Sequence, residues 1–166
     1  GSKDAVLLRS FADGRTLQVQ GAVGGNVLVE AYDAGSGSFP RLTNVSARSV
    51  AGSGGDAMIA GFTILGTEPK RVLLRAVGPT LSAFGVTGVL ADPKLDVYAG
   101  PNRIAGNDNW PASLASTFTA VGAFALPAGS RDAAVELTLA PGGYTVHVSP
   151  ATGAAGEVLI EIYEVP

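Results

Sequence analysis

Gly156-Glu157-Val158-Leu159-Ile160-Glu161-Ile162-Tyr163-Glu164 stands near the end of the chain, and Gly25-Asn26-Val27-Leu28-Val29-Glu30-Ala31-Tyr32-Asp33 stands near its start. Glycine, valine, leucine, glutamate and tyrosine occupy matching places, and most of the remaining differences are conservative. The likeness extends upstream with small gaps. Asp4-Ala5 answers Asp132-Ala133, Phe11-Ala12-Asp13-Gly14 answers Leu139-Ala140-Pro141-Gly142, and Thr16-Leu17-Gln18-Val19 answers Thr145-Val146-His147-Val148. Within 26–32, Val27, Val29 and Ala31 fall on one face and Leu28, Glu30 and Tyr32 on the other, the period of a half-buried strand. A repeated hairpin-plus-strand unit marks a tandem architecture. The chain therefore reads as the tail of one repeat followed by one complete repeat.

Composition agrees with an all-β reading. The chain has 166 residues, 46% hydrophobic and 15% charged, which is enough for one well-cored domain or a domain plus a fragment. Its 23 glycines and 10 prolines are scattered among apolar runs and leave few stretches long enough for helix. A net charge of −3 gives no electrostatic footprint for nucleic acid or an anionic membrane. No apolar stretch reaches transmembrane length, and no signal-peptide pattern is present. The leading Gly1-Ser2 reads as an expression scar. With no cysteine, disulfides, thiolate catalysis and cysteine zinc sites are excluded.

Taken in order, the chain alternates short strand patterns with turn signals. Segments 5–10, 16–20 and 26–32 read as three strands, the first two joined at Asp13-Gly14, a dipeptide that tolerates positive φ. Gly35-Ser36-Gly37-Ser38 has linker composition, which places the repeat boundary at 38/39. Strand patterns then recur at 41–50, 57–65, 71–77, 94–99, 103–105, 133–139, 144–149 and 157–165. In 71–77, Val72, Leu74 and Ala76 share one face. Arg71, Leu73, Arg75 and Val77 share the other, where the two arginines are expected to cover a half-exposed surface with their stems packed on apolar neighbours. Pro111 in a first-turn position, followed by Leu114, Phe118, Val121 and Ala125, predicts one short helix over 112–124. About ten short strands at this spacing imply a sandwich or barrel. The expected fold is an all-β, antiparallel, jelly-roll-like sandwich over 39–166 with one short helix. An extra N-terminal three-stranded segment over 1–38 supplies the tail of a preceding repeat.

Three local patterns, in order, carry a family resemblance: Arg41-Leu42-Thr43-Asn44-Val45-Ser46-Ala47-Arg48, then Lys70-Arg71-Val72-Leu73-Leu74-Arg75-Ala76-Val77-Gly78-Pro79-Thr80-Leu81, then Asn107-Asp108-Asn109-Trp110. With the later Pro141-Gly142-Gly143-Tyr144-Thr145-Val146 and the closing strand, 39–166 resembles a repeat found in large secreted or surface proteins of environmental bacteria. The C-terminal part is also remotely similar to the bacterial pre-peptidase C-terminal domain, a small β-sandwich appended to secreted enzymes. These resemblances imply an extracellular, non-catalytic structural or adhesive module, with a carbohydrate-binding accessory module as the alternative. The partners they imply are neighbouring repeats or another copy of the chain, and for the alternative an extracellular glycan. Nucleic acid and membrane insertion are not expected.

The candidate chemistry is sparse. Asn107, Asp108 and Asn109 can present amide, carboxylate and backbone oxygens together, the donor set calcium takes, with Asp92, Asp96 or Asp132 as a second carboxylate if the fold brings one near. The same residues also build turns and cap helices by bonding to nearby backbone. His147 is the sole histidine and is expected to face solvent on a strand. No G-x-S-x-G elbow accompanies it and no second histidine offers a transition-metal pair. Trp110, Tyr32, Tyr98, Tyr144 and Tyr163 could stack on sugars, but Tyr32 and Tyr163 hold equivalent repeat positions, which points to packing. Glu30 and Glu161 are likewise equivalent, so repeat symmetry explains them better than a glycosidase pair. The glycines of 52–55 and 85–88 lack the lysine of a phosphate loop and read as turns. Asn44-Val45-Ser46 matches a glycosylation sequon, a pattern frequent by chance.

Overall fold

A computed structural model of the chain describes residues 4–11, 13–22, 25–32 and 42–166. The chain divides into two units, Gly1–Ala34 and Gly35–Pro166. The second holds eight strands: β1 (Asn44–Ala51), β2 (Met58–Ile64), β3 (Lys70–Val77), β4 (Pro93–Ala99), β5 (Asn102–Asn107), β6 (Ala133–Leu139), β7 (Gly142–Pro150) and β8 (Gly156–Glu164). They form two four-stranded sheets, in the orders β1-β8-β3-β6 and β2-β7-β4-β5, with every strand pair antiparallel. First pairs with last, second with seventh, third with sixth and fourth with fifth. The chain is thus a double ribbon doubled back at the β4–β5 turn, where Gly100 takes φ +56°, and wrapped into two sheets. This is a jelly roll, as the spacing of strands and turns predicts.

Alternation along each strand builds the core between the sheets. Val72, Leu74 and Ala76 of β3 meet Val158 and Ile160 of β8 beside them, and Leu95, Val97, Val146 and Val148 from the facing sheet. All are essentially inaccessible to water, and burying each large side chain contributes about 1.5–3 kcal/mol. Gly156 permits one close approach. Leu90 N–H donates to Glu157 O at 2.8 Å and Glu157 N–H donates to Gly88 O at 2.8 Å. A Cβ on Gly156 would lie 2.6 Å from Leu90 N.

The first sheet is buried on its other face too. Leu73 and Val77 of β3 and Ala134 of β6 pack under Leu81, Phe118, Ala123 and Leu126, forming a second core beneath the segments 79–90 and 110–126. The reading of β3 as half-exposed is corrected here. Arg71 does lie at the surface, bonded to Glu136 at 2.6 Å, but Arg75 is fully buried. Its guanidinium sits 4.5 Å from the centroids of both Phe118 and Phe124. Nη1 donates to Phe124 O at 2.8 Å, and Nε lies 3.1 Å from Glu161 Oε2. That last contact is electrostatic, because neither atom makes an aligned hydrogen bond. Burial pulls the guanidinium below its ordinary pKa, and the charges of Glu161, Tyr163 and Asp132 oppose the shift. A near-continuous run such as Val72-Leu73-Leu74-Arg75-Ala76-Val77 is what a strand covered on both faces requires.

Other expectations change in detail. The helix is shorter than 112–124: a 3-10 turn (Ala112–Leu114) leads into α1 (Ala115–Ala120), and the chain leaves it through Gly122 at φ +73°. Pro111 precedes the helical residues in an extended conformation. β1 is an edge strand exposed from Asn44 to Val50, with only Ala51 buried, so the strand pattern of 41–50 contributes little to the core. Ser46, Arg48 and Ser49 make that edge polar, which discourages pairing with other chains. The chain from β6 to β7 is not a hydrogen-bonded hairpin, because the two strands lie in different sheets.

In the first unit, the described residues of 4–32 carry no strand, so the expected three-stranded segment is not formed there. The jelly roll supplies the reason. Segment 4–32 matches β6, β7 and β8, none of which pairs with another of the three: β6 and β8 flank β3, and β7 lies between β2 and β4. Three such strands alone have no ladder to make. Their apolar residues stay exposed, among them Val6, Leu17, Val27 and Val29. The expected linker and the 38/39 boundary lie outside the described residues.

Removing one partner of a buried ion pair leaves the other charge uncompensated, at a cost of about 3–5 kcal/mol. Glu161→Gln is therefore expected to lower unfolding free energy by roughly that amount. Pairing it with Arg75→Met should recover much of the loss, as read in chemical denaturation; equal loss in the single and double variants would contradict this.

Candidate functional site

The Asn107–Asn109 turn closes β5 and leads to Trp110. Asn107 Nδ2 donates to Asn109 O at 2.9 Å, and its Oδ1 accepts from Ala134 N–H at 3.0 Å. The amide thus braces its own turn and ties it to β6, while Asp108 and Asn109 are exposed. The three carboxylates named as possible co-ligands each have their own partners. Asp132 is fully buried: Oδ1 accepts from Gly78 N–H (2.8 Å) and Thr80 N–H (3.3 Å), and Oδ2 from the hydroxyls of Thr80 (2.5 Å) and Ser130 (2.7 Å). Four donors around one carboxylate satisfy a buried charge. Asp92 accepts from Arg131 at 3.2 Å and Thr152 at 2.9 Å. Asp96 accepts from Arg103 at 2.6 Å and lies 2.9 Å from Lys94. Among the described residues no three His, Cys, Asp or Glu side chains converge as a metal-binding group.

The aromatic residues mostly pack or pair. Trp110 lies 5.3 Å from Phe118 by ring centroid, and its Nε1 donates toward Pro127 O and Ser130 Oγ. Tyr144 stacks on Phe62 at 5.5 Å and donates to Ala140 O. Tyr163 donates to Glu161 at 2.6 Å, and burial together with that hydrogen bond raises its phenol well above the ordinary value. Tyr98 behaves differently. Its ring lies 4.6 Å from His147, whose Nε2 is 3.1 Å from Thr145 Oγ1.

This Tyr98–His147 pair marks the outward face of the second sheet. The inward faces of β4 and β7 are Leu95, Val97, Val146 and Val148, so Lys94, Asp96, Tyr98, Thr145, His147 and Ser149 project the other way. Ile59 and Arg103, from β2 and β5, are exposed on the same sheet. While β3 of the first sheet is covered on both sides, this face presents a ring pair beside a Lys94–Asp96–Arg103 charge cluster. Burial pushes the Asp96 carboxyl up, but hydrogen bonds and charge from Lys94 and Arg103 outweigh it and hold the group below its ordinary value. Gly106 makes this arrangement possible: a Cβ there would fall 2.1 Å from Arg103 Nη2 and 2.7 Å from Asp96 Oδ1. Opposite Val97 and Tyr98 the register shifts, because Ile104 of β5 is left without a partner between Arg103 and Ala105, a bulge next to Arg103. The period-2 pattern signals which side of the strand His147 takes, but its ring partner required the β4–β7 register.

Two solvent-open depressions, of about 310 and 340 Å³, lie elsewhere. One includes Asn44, Val121 and Tyr163, the other Arg48, Phe84 and Glu157.

No protein-family model matches the chain, and no curated protein matches it. Among solved structures it is similar to the pre-peptidase C-terminal domain of a collagenase from Bacillus anthracis, at 12% identity and a TM-score of 0.45. The match covers 72% of this chain and 89% of that one.

Two outcomes follow from the geometry. The folded-state pKa of Asp96 lies below its unfolded value, so its contribution is full above the unfolded pKa and is lost as pH falls through the lowered folded value. The melting temperature of the wild-type chain should exceed that of Asp96→Asn at pH 7, by an amount worth about 1 kcal/mol given the exposed partners. The gap should close as the pH falls through the lowered folded value, and a pH-independent gap would count against the assignment. Asn107→Ala should destabilise the fold by about 1–3 kcal/mol, equally in calcium and in chelator if the amide acts only as a brace. A melting temperature raised by calcium in the wild type and not in Asp108→Ala would instead make the turn a cation site.

Proposed function

We propose that the chain is a non-catalytic structural module of a secreted or surface bacterial protein, of the structural or adhesive repeat type. The observation that carries this reading is the employment of its buried polar groups. Arg75, Glu161, Asp132, Asp92 and Asp96 are each engaged with neighbours that hold strands or connecting segments together. Catalytic carboxylates and bases need geometry aimed at a substrate, and these are aimed at the fold. The repeated 4–32 and 132–164 sequences supply the second support, since duplication of a closing segment suits an array better than a single-site catalyst.

A carbohydrate-binding accessory module is the second reading, favoured by the outward Tyr98–His147 pair next to Asp96 and Arg103. Rings offer an apolar face to a sugar, and flanking charges bond its hydroxyls. Affinity electrophoresis on soluble polysaccharides, followed by a glycan array, separates the two. The structural reading expects no retardation and no array signal. Retardation abolished by Tyr98→Ala and His147→Ala, with the melt unchanged, would replace it with the binding module. Turnover of ester, peptide or glycoside substrates that survives purification and is lost in a point variant would overturn the non-catalytic assignment.

A further inference from the structure

Segment 4–32 reproduces β6–β8 in the residues that the sandwich buries, polar ones included. Asp4 stands in the place of Asp132, whose carboxylate gathers four donors at the head of β6. Leu17 and Val19 stand for the buried Val146 and Val148, and Val27 and Val29 for the buried Val158 and Ile160. Glu30 and Tyr32 stand for Glu161 and Tyr163, and the local bond is the same in both: Tyr32 donates to Glu30 at 2.9 Å as Tyr163 donates to Glu161 at 2.6 Å. In β8 that glutamate is the counter-ion of buried Arg75. Yet Leu17, Val19, Val27, Val29 and Tyr32 are all more than half exposed. A sequence patterned for a two-faced interior lies open, and its partner is identified by what β6–β8 contact: β3 on both sides, β1, β2 and β4.

We propose that residues 4–32 are a closing segment for the β1–β5 frame of a neighbouring sandwich of this same kind. There they would enter as the sixth, seventh and eighth strands, with Glu30 against the residue equivalent to Arg75. Two differences explain why the C-terminal copy holds the frame here. Ile160 and Ile162 present more apolar volume than Val29 and Ala31, and Leu137 corresponds to Arg9. The resident copy therefore wins its own frame, and the N-terminal copy remains available to another. The inference rests on the repeat and the topology, and is independent of what the outward face binds.

The chain's own frame is the probe. Ile160→Asp disables the resident β8 at a buried site in the full-length protein. Arg48 pairs with Leu159, whose counterpart is Leu28, and the chain is free of native cysteine. In the Ile160→Asp chain carrying Leu28→Cys and Arg48→Cys, oxidation is expected to join the two introduced cysteines in a disulfide in most molecules, within one chain or between two, as non-reducing electrophoresis and peptide mapping reveal. Adding Val29→Asp should reduce this cross-link at least tenfold. In the background with Ile160 intact the same cysteines should stay largely reduced. Val29→Asp alone should leave the melt of the native-sequence chain unchanged. Absence of the disulfide in the Ile160→Asp chain, or its indifference to Val29→Asp, overturns the proposal.

Discussion

A single buried cation organises the first sheet. Arg75 emerges on the face of β3 away from the main core, and a guanidinium there must be either solvated or enclosed with compensating charge. It is enclosed. Phe118 and Phe124 each set a ring centroid 4.5 Å from it, Phe124 O accepts from it, and Glu161 of the neighbouring strand lies against it. This arrangement binds three parts of the chain together: β3, β8 and the 110–126 segment. Leu73, Val77 and Ala134 can then be apolar on what would otherwise be a wet surface. The cover over this cluster encloses β3 on its second face, while β1 at the edge of the same sheet stays exposed.

The same logic recurs at the strand ends. Asp132 holds Gly78, Thr80 and Ser130 at the junction of β3 and β6, and its carbonyl accepts from Trp110 N–H at 2.8 Å. Glu136 bonds Thr117 and Arg71, and these hydrogen bonds keep its carboxyl below the ordinary value. Polar side chains thus clamp the connecting segments onto the first sheet, where backbone ladders cannot reach.

Much of the sandwich is legible along the chain because strands with one buried face write their period directly into sequence. Val72, Leu74 and Ala76 read as sharing one face, which is the face the core buries, and all eight strand positions of 42–166 fall within a few residues of where the pattern puts them. Arg75 is misread because a period of two separates faces without saying what covers them. Arginine on an apolar strand looks like a surface stem until the aromatic pair above it is known. The β6–β7 hairpin is misread for a related reason: a turn between strands looks the same whether the chain returns to its own sheet or crosses to the other. In the candidate site, Asn107 is legible as a turn residue, but its bond to Ala134, 27 residues away, is not. The Tyr98–His147 pair depends equally on strands distant in the chain.

By itself the sequence determined the all-β class, the strand positions and the duplication of the closing segment. These follow from side-chain periodicity, turn chemistry and self-similarity, which are local or directly comparable properties. Only the tertiary structure decided which strands are neighbours, which strand faces are covered and why the described residues of 4–32 carry no strand. Those depend on pairings across long stretches of chain, where the same strand pattern fits several partners until packing selects one.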